Sequence, residues 1–505
     1  MFKNFHGFHL LEAYSEWKKE HRATKNPLGV RSIKVAIAVI VTLLLWFIPA
    51  SSYGLEGVNL IGQRVIAVFA FAALMWLFDA VPAWTTSLMV VVLLLFCTSD
   101  SALWFMQNDP ATGEKFENLV SYKAILACFA DPTIMLFIGG FIIAIAATKS
   151  GLDVKLAKVM LTPFGTKSEN VLLGFLLVTA LFSMFVSNTA TAAMMLTFLT
   201  PVLKALPADG KGKIGMALAI PIGANIGGMG TPIGTPPNAI ALKYLNDPDG
   251  MNLGIGFGQW MMIMVPLTII LLLIAWVVLR TLFPFKQKTV HLEIDDSHIK
   301  SDWRNYVVYV TFAVTILLWL TDSITGVNAN VVAMLPVGVL AIAGVITKRD
   351  LEEISWSILW MIAGAFALGV ALNQTGLAKD IISSIPFSEW SPIMVIIGSG
   401  LICYLMANFI SHTATAALFV PILAMVGQNM TSIDSLGGVC TLLVGVAVCS
   451  SVAMVLPIST PPNALADATG MIKQKDMVRT GLIMGFCGLV LGYVVLIFAG
   501  KYGLL

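Results

Sequence analysis

The sequence predicts an all-α polytopic membrane protein with about 11 transmembrane helices and two re-entrant hairpins in an inverted repeat. Three observations support this fold class. The chain has 505 residues, of which 58% are hydrophobic and 11% are charged, whereas soluble domains carry roughly 25% charged residues. Polar motifs recur in register in the two halves of the chain. Lysine and arginine are distributed unequally between alternate loops.

Apolar runs long enough to cross a bilayer recur along the chain, since about 20 helical residues span the hydrocarbon core. We place such spans near residues 33–50, 62–80, 83–98, 133–148, 260–283, 305–322, 330–346, 358–372 and 478–499. We expect the polar residues 1–32 to form a cytoplasmic arm on the membrane surface, without a cleavable signal peptide. The six cysteines are interpreted as small hydrophobic residues, because they show no paired spacing.

An internal repeat gives the strongest signal. Residues 187–193, Ser-Asn-Thr-Ala-Thr-Ala-Ala, return at 411–417 as Ser-His-Thr-Ala-Thr-Ala-Ala. The run Thr-Pro-Pro-Asn-Ala at 235–239 returns unchanged at 460–464. Matches in the same order and at nearly constant separation indicate a gene duplication.

Positive charge then predicts the orientation, because lysine and arginine are retained on the cytoplasmic side. We take the N-terminus as inside and segments 170–204 and 392–424 as hairpins, and the broken segments 212–250 and 439–469 as single crossings. The predicted outside loops then hold only Lys115, Lys123, Lys243, Lys379 and Lys501. Each half has an odd number of crossings, so the halves face opposite ways, as in secondary transporters. The sequence thus predicts a multi-pass protein of the cell (inner) membrane with its C-terminus outside.

The same two motif pairs predict the binding site, since interrupted polar segments at matching positions of two halves mark a midplane site. The helix after each hairpin tip begins at serine or threonine, so its free N–H groups and positive dipole end form a seat for an anion. The Pro-Pro pairs predict broken helices. There, freed carbonyls are suited to Na⁺, and half-helices starting at Asn238 and Asn463 are expected to offer N–H groups to an anion. The plainer alternatives are hydroxyls that only join helices and simple proline kinks.

Several function classes are disfavoured. The apolar spans contain almost no carboxylates, which argues against a proton relay. No hydrolase or ATPase motif occurs, so the chain is not predicted to be an enzyme. A channel would not need two matched hairpins with two broken helices. The net charge of +2 gives no indication of nucleic-acid binding, and we expect no nucleic-acid partner.

At these motifs the chain resembles the divalent anion/sodium symporter family of di- and tricarboxylate transporters, over nearly its whole length after residue 33. The resemblance implies secondary transport of C4/C5 dicarboxylates (succinate, malate, fumarate, 2-oxoglutarate), a homodimer, and a transport domain that moves like an elevator against a scaffold. It implies that Asn188 and Thr189 bind one substrate carboxylate and that His412 and Thr413 bind the other; the motifs themselves add Ser187, Thr235, Pro236, Ser411, Thr460 and Pro461 to the predicted substrate-binding residues. It also implies a Na⁺ site at Ser183, Ser187, Asn188 and Gly234, and no other cofactor.

Combined with the spans, the resemblance divides the chain into six regions. These are the arm (1–32), first-half scaffold helices (33–132), a first-half transport region (133–259), scaffold helices with a cytoplasmic linker (260–357), a second-half transport region (358–477) and a last helix (478–505).

The second half departs from the family pattern. His412 replaces the signature asparagine, Ala407 stands where sodium-coupled members often have a hydroxyl, and no other histidine lies in an apolar segment. We therefore hypothesise that a protonated or strongly polarised His412 takes over part of the role of Na⁺. Such a carrier cannot shed its charge when empty, which predicts a bacterial exchanger-type member. The alternatives are a neutral histidine that copies asparagine, a Na⁺-coupled dicarboxylate symporter, and a relative that carries sulfate, citrate or arsenite.

Overall fold

The computed structural model describes residues 28–53, 58–110, 112–206, 210–247, 250–290, 302–377, 380 and 390–504. Most of the predicted arm therefore lies outside the described residues. Within these ranges the secondary structure is helical, with only isolated β-bridges. At least eight of the helices are long and apolar enough to cross a membrane. The all-α membrane fold is confirmed, and the number of crossings stays a prediction.

The helices follow the predicted order. Those of the first half are α1 (Leu28–Phe47), α2 (Leu60–Phe78), α3 (Ala83–Cys97), α4 (Tyr122–Ala127), α5 (Pro132–Ser150), α6 (Leu152–Leu161), α7 (Ser168–Phe185), α8 (Asn188–Ala205), α9 (Gly212–Gly228) and α10 (Pro236–Leu245). Those of the second half are α11 (Phe257–Leu282), α12 (Trp303–Leu320), α13 (Met334–Ile342), α14 (Lys348–Glu352), α15 (Trp356–Gln374), α16 (Ser399–Phe409), α17 (His412–Asn429), α18 (Gly438–Ser451), α19 (Pro461–Ala468) and α20 (Gln474–Lys501).

Local sequence fixes the ends of α5. Asp131 precedes the helix and accepts a hydrogen bond from the Thr133 N–H at 2.8 Å. Pro132 occupies the first helical position, where its missing N–H costs nothing. The helix ends at Gly151, whose φ of 66° is left-handed and favours glycine. A polar cap, a proline and a glycine therefore delimit an otherwise apolar helix.

The two halves interlock around their motifs. The hairpin α7–α8 packs along α9, and the hairpin α16–α17 packs along α18. In addition, α8 contacts α19, and α10 contacts α17. The second part of each broken helix thus lies against the hairpin of the other half. This exchange brings all four motifs to one region, which neither half would complete alone.

A second group of helices flanks this region. Helix α3 packs along α15, and α5 packs against α12 and α13. Glycines allow the closest approaches: a Cβ on Gly364 would lie 2.5 Å from the Ser87 Cβ, and a Cβ on Gly139 would collide with the Ala333 carbonyl oxygen. Small residues at helix crossings are typical of membrane bundles. The division into scaffold and transport regions stays a prediction.

Candidate functional site

The first hairpin turns at Val186, whose extended backbone ends α7. Ser187 then caps α8, because its Oγ accepts a hydrogen bond from the Ala190 N–H at 3.3 Å. The N–H groups of Asn188 and Thr189 have no intrahelical acceptor, since they belong to the first turn. The tip therefore presents a capped helix start with free donors.

The second hairpin repeats this geometry. Helix α16 ends at Phe409, Ile410 is extended, and Ser411 caps α17 by accepting from the Ala414 N–H at 3.1 Å. His412 and Thr413 take the positions of Asn188 and Thr189 at the helix start. Both tips offer N–H groups and the positive end of a helix dipole, which suits a carboxylate.

The broken helices restart earlier than the sequence led us to expect. Helices α10 and α19 begin at Pro236 and Pro461, and not at the asparagines two residues further on. Their first two residues are prolines, which have no N–H group. The expectation that the starts of α10 and α19 offer N–H donors to an anion was therefore wrong for the two proline positions. The polar features that remain at these helix starts are the threonine hydroxyls and the helix dipoles.

Each motif asparagine closes the unwound loop before it. The Asn238 amide donates to the carbonyls of Gly228 (3.0 Å), Met229 (3.3 Å) and Thr231 (2.8 Å). The Asn463 amide likewise donates to the carbonyls of Met454 (2.8 Å) and Leu456 (3.1 Å). Unwound backbone buried in a membrane protein needs such partners. The Pro-Pro-Asn motif therefore both breaks the helix and satisfies the break.

A cavity of about 480 Å³ lies where the four motifs meet. All ten predicted substrate-binding residues line it, so the structure brings the whole predicted set together. On its other side the cavity is lined by side chains of α2, α3 and the connection between them, and of α5 and α15, among them Trp76, Asp79, Trp84, Phe137, Phe141, Ile358 and Met361. Sequence analysis missed this wall, since no motif marks it. It also missed Asn225, although an asparagine within a glycine-rich apolar run was a visible signal.

The predicted first Na⁺ site is a cluster of oxygens. The Ser183 hydroxyl lies 2.6 Å from Asn188 Oδ1 and 2.8 Å from the Ala224 carbonyl oxygen. A Cβ on Gly228 would lie 2.8 Å from Asn188 Oδ1 and 3.1 Å from the Gly234 carbonyl oxygen, so these groups crowd together at a glycine. Neutral oxygens of this kind fit a hard cation such as Na⁺. Ser187 differs from the prediction in one respect, because its hydroxyl caps α8.

The second half lacks this cluster. Ala407 stands in place of Ser183, Ala453 in place of Gly228, and His412 Nε2 lies 2.8 Å from the Ala453 carbonyl oxygen. A carbonyl only accepts hydrogen bonds, so Nε2 carries a proton. The imidazole therefore donates to a backbone carbonyl at the position that corresponds to the oxygen cluster.

Known proteins resemble this chain over most of its length. An uncharacterized transporter of Haemophilus influenzae is 31% identical over 478 residues, which cover 90% of this chain and 95% of that protein. The sodium-dependent dicarboxylate transporter SdcS of Staphylococcus saprophyticus is 26% identical over 95% of this chain and 93% of its own length. The sodium-dependent high-affinity dicarboxylate transporter 3 of Caenorhabditis elegans is 30% identical over 72% of this chain and 73% of its own.

Among solved structures, the YdaH transporter of Alcanivorax borkumensis has a TM-score of 0.52 at 13% identity and covers 86% of this chain and 98% of its own. That likeness shows a shared fold. The family described as the sodium:sulfate symporter transmembrane region matches residues 30–504. With its paired hairpins, broken helices and apolar spans, the protein is a multi-pass membrane transporter and not an enzyme. The chain belongs to this family, and its resemblance to divalent anion/sodium symporters is confirmed.

Proposed function

We propose that the protein transports C4/C5 dicarboxylates such as succinate, malate, fumarate and 2-oxoglutarate through the cavity between the two hairpins. The observation that carries this proposal is the pairing of two capped helix starts, at Ser187 and Ser411, around one cavity. Each start offers first-turn N–H groups and a dipole to one carboxylate. Two seats on one cavity suit a molecule with two carboxylates. The names of the relatives SdcS and dicarboxylate transporter 3 support the same substrate class.

We further propose that transport is an exchange of one dicarboxylate for another. His412 holds a proton on Nε2 against the Ala453 carbonyl, which leaves Nδ1 to gain a second proton beside an anion. No lysine or arginine lines the described part of the cavity, so His412 is the side chain there that would supply positive charge to a bound carboxylate. An empty carrier would leave that charge buried without a counter-ion, which is unfavourable, so the return step would carry a second anion.

Na⁺-coupled symport is the second candidate. Two observations favour it, namely the oxygen cluster at Ser183, Asn188 and Ala224 and the sodium dependence in the names of the relatives. In this case Ser183, Asn188 and Gly234 would hold the cation, which would supply positive charge next to the carboxylate. His412 would then replace asparagine as a neutral hydrogen-bonding group.

Uptake into vesicles separates the two candidates. Purified protein is reconstituted into proteoliposomes that are empty or preloaded with unlabelled dicarboxylate, and labelled succinate or 2-oxoglutarate is added with or without an inward Na⁺ gradient. Uptake that requires internal dicarboxylate and ignores Na⁺ supports exchange. Uptake into empty vesicles that follows the Na⁺ gradient supports symport. Absence of uptake for every dicarboxylate, with sulfate, citrate or arsenite transported instead, would reject the substrate class.

The predicted movement and assembly belong to the same proposal. The cavity lies between the motif elements on one side and α2, α3, α5 and α15 on the other, a boundary along which an elevator-type movement would slide. We also propose a homodimer with a cytoplasmic N-terminus and an outside C-terminus. Cross-linking in native membranes tests the dimer. The orientation is tested with Lys473→Cys and Lys501→Cys, each as the single cysteine in a chain whose six native cysteines are replaced. The label is a thiol reagent that does not cross the membrane.

A further inference from the structure

We propose that Asn225 is a positioning residue that connects the two half-sites and fixes the Thr460 hydroxyl as a hydrogen-bond donor to a bound carboxylate. The proposal rests on the proposed function of the cavity. Asn225 lies on α9, in the first half, and is 1% exposed. Its Nδ2 donates to Thr460 Oγ1 at 3.2 Å and to Asn463 Oδ1 at 3.1 Å, both in the second half.

The orientation of the Asn225 amide follows from that of Asn463. Asn463 Nδ2 faces the carbonyl oxygens of Met454 and Leu456, and carbonyls accept only. Its Oδ1 must therefore be the atom that faces Asn225. An oxygen there needs a donor, so Asn225 presents Nδ2 to α19.

This arrangement determines what the Thr460 hydroxyl can do. Thr460 Oγ1 already accepts from the Asn463 N–H at 3.2 Å, which caps α19. With the second bond from Asn225, both of its lone pairs are occupied. Its one remaining hydrogen-bonding group is the hydroxyl proton, and Thr460 lines the cavity. A hydroxyl that can only donate favours an anionic ligand.

The other half-site lacks this device. Asn238 and Asn463 are equivalent in the repeat, and the same separation pairs Asn225 with Ser450. Helix α10 packs against α18 just as α9 packs against α19. However, serine is shorter than asparagine, and within the described residues both Ser450 Oγ and Asn238 Oδ1 are buried without a protein partner. Thr235 also makes no side-chain cap. The direct bond between halves is therefore formed on one side only.

The test measures KM and Vmax for labelled succinate in vesicles preloaded with succinate. Asn225→Ser copies the residue of the equivalent position, and Asn225→Ala is the second variant in case the first does not fold. We expect KM to rise about tenfold or more, since a hydrogen bond to a charged group is weakened, while Vmax per folded protein stays within about twofold. Ser450→Ala is the matched control, and we expect its KM to stay within about twofold because its hydroxyl has no partner.

A double variant shows whether Asn225 acts through Thr460. In a Thr460→Val background the hydroxyl is already absent, so Asn225→Ser should change KM by less than about twofold. A merely structural role would instead lower yield and Vmax in both backgrounds. An unchanged KM in folded Asn225→Ser protein, or fully additive effects with Thr460→Val, would overturn the inference.

The proposed function can fail separately. If wild-type vesicles exchange no dicarboxylate, the proposed substrate class is rejected. The Asn225 inference is then tested by thermal shift with sulfate and with citrate, using whichever anion stabilises the wild type. Loss of that shift in Asn225→Ser, but not in Ser450→Ala, would support the positioning role, and an equal shift in all three proteins would reject it.

Discussion

Gly228→Ala tests whether the oxygen cluster of the first half is part of the site. Gly228 is the last residue of α9, and its added Cβ would lie 2.8 Å from Asn188 Oδ1, 3.0 Å from Asn188 Nδ2 and 3.1 Å from the Gly234 carbonyl oxygen. A Cβ atom essentially never lies within 3.0 Å of a non-bonded heavy atom. The Asn188 amide would therefore move by at least a few tenths of an ångström, away from the position that its bond to Ser183 sets.

Overpacking of this kind costs about 1–3 kcal/mol. The helix propensity of alanine offsets part of this cost, by less than the roughly 1 kcal/mol found in helix interiors, because Gly228 is the last residue of α9. The remaining strain displaces the Asn188 amide and the Gly234 carbonyl, so we expect it to weaken ligand binding. A loss of about 1–3 kcal/mol corresponds to a rise in the substrate KM of roughly 5- to 150-fold.

The assay is succinate uptake as a function of substrate concentration, with thermal stability measured on the same preparation. Gly338→Ala is the matched control, because Gly338 lies inside α13 and its added Cβ would have no heavy atom within 4 Å. We expect the control to keep the wild-type KM. A Gly228→Ala protein that is folded and has an unchanged KM would refute the assignment of Asn188 to the binding site.

Three further changes test other parts of the structure. His412→Asn should restore the first-half signature and lower exchange at least about tenfold, or make uptake sodium-dependent; unchanged exchange without Na⁺ dependence would reject the role of His412. Asn463→Leu removes the amide that holds the carbonyls of Met454 and Leu456, and we expect a loss of about 2–4 kcal/mol of stability, measured as a lower melting temperature in detergent. Asp350, outside the spans, is buried, which raises its pKa, but hydrogen bonds from Lys149 and Thr347 outweigh burial and hold the pKa below its ordinary 3.8. The ion pair with Lys149 spans 2.6 Å. Because the folded-state pKa is depressed, this stabilisation is present above pH 3.8 and lost as the pH falls through the lower folded value. Asp350→Asn should therefore be less stable than the wild type at pH 7 by about 1–3 kcal/mol, seen as a lower unfolding temperature. A difference in unfolding temperature that does not shrink below pH 3.8 would contradict this sign.

Much of the site was predictable because its residues act through local backbone geometry. A serine before a helix start caps it, and a Pro-Pro pair breaks a helix wherever it occurs. These effects depend on a few neighbouring residues, so the repeated motifs at Ser187 and Thr235 predicted both the tips and the breaks. The repeat then predicted that both halves contribute to one site. In the structure the ten motif residues line one cavity, and their role in substrate binding stays a prediction.

Other features depend on residues that are distant in the chain. The sequence could not indicate that Asn225 bonds to Thr460, because that contact requires α9 of one half to lie against α19 of the other. It also misplaced the N–H donors of the broken helices, since a helix start is set by backbone angles and not by the motif asparagine. The aromatic wall of Trp84 and Phe137 had no motif at all.

The sequence by itself therefore determined that this protein lies in a membrane, that its architecture is duplicated, and where polar motifs interrupt its helices. Those properties follow from hydropathy, from residue spacing and from the chemistry of proline and serine, all of which act over short stretches of chain. Only the tertiary structure decided which polar groups are paired across the two halves and which side chains close the cavity. Such pairings depend on how helices pack against one another, and packing is a property of surfaces that no single segment contains.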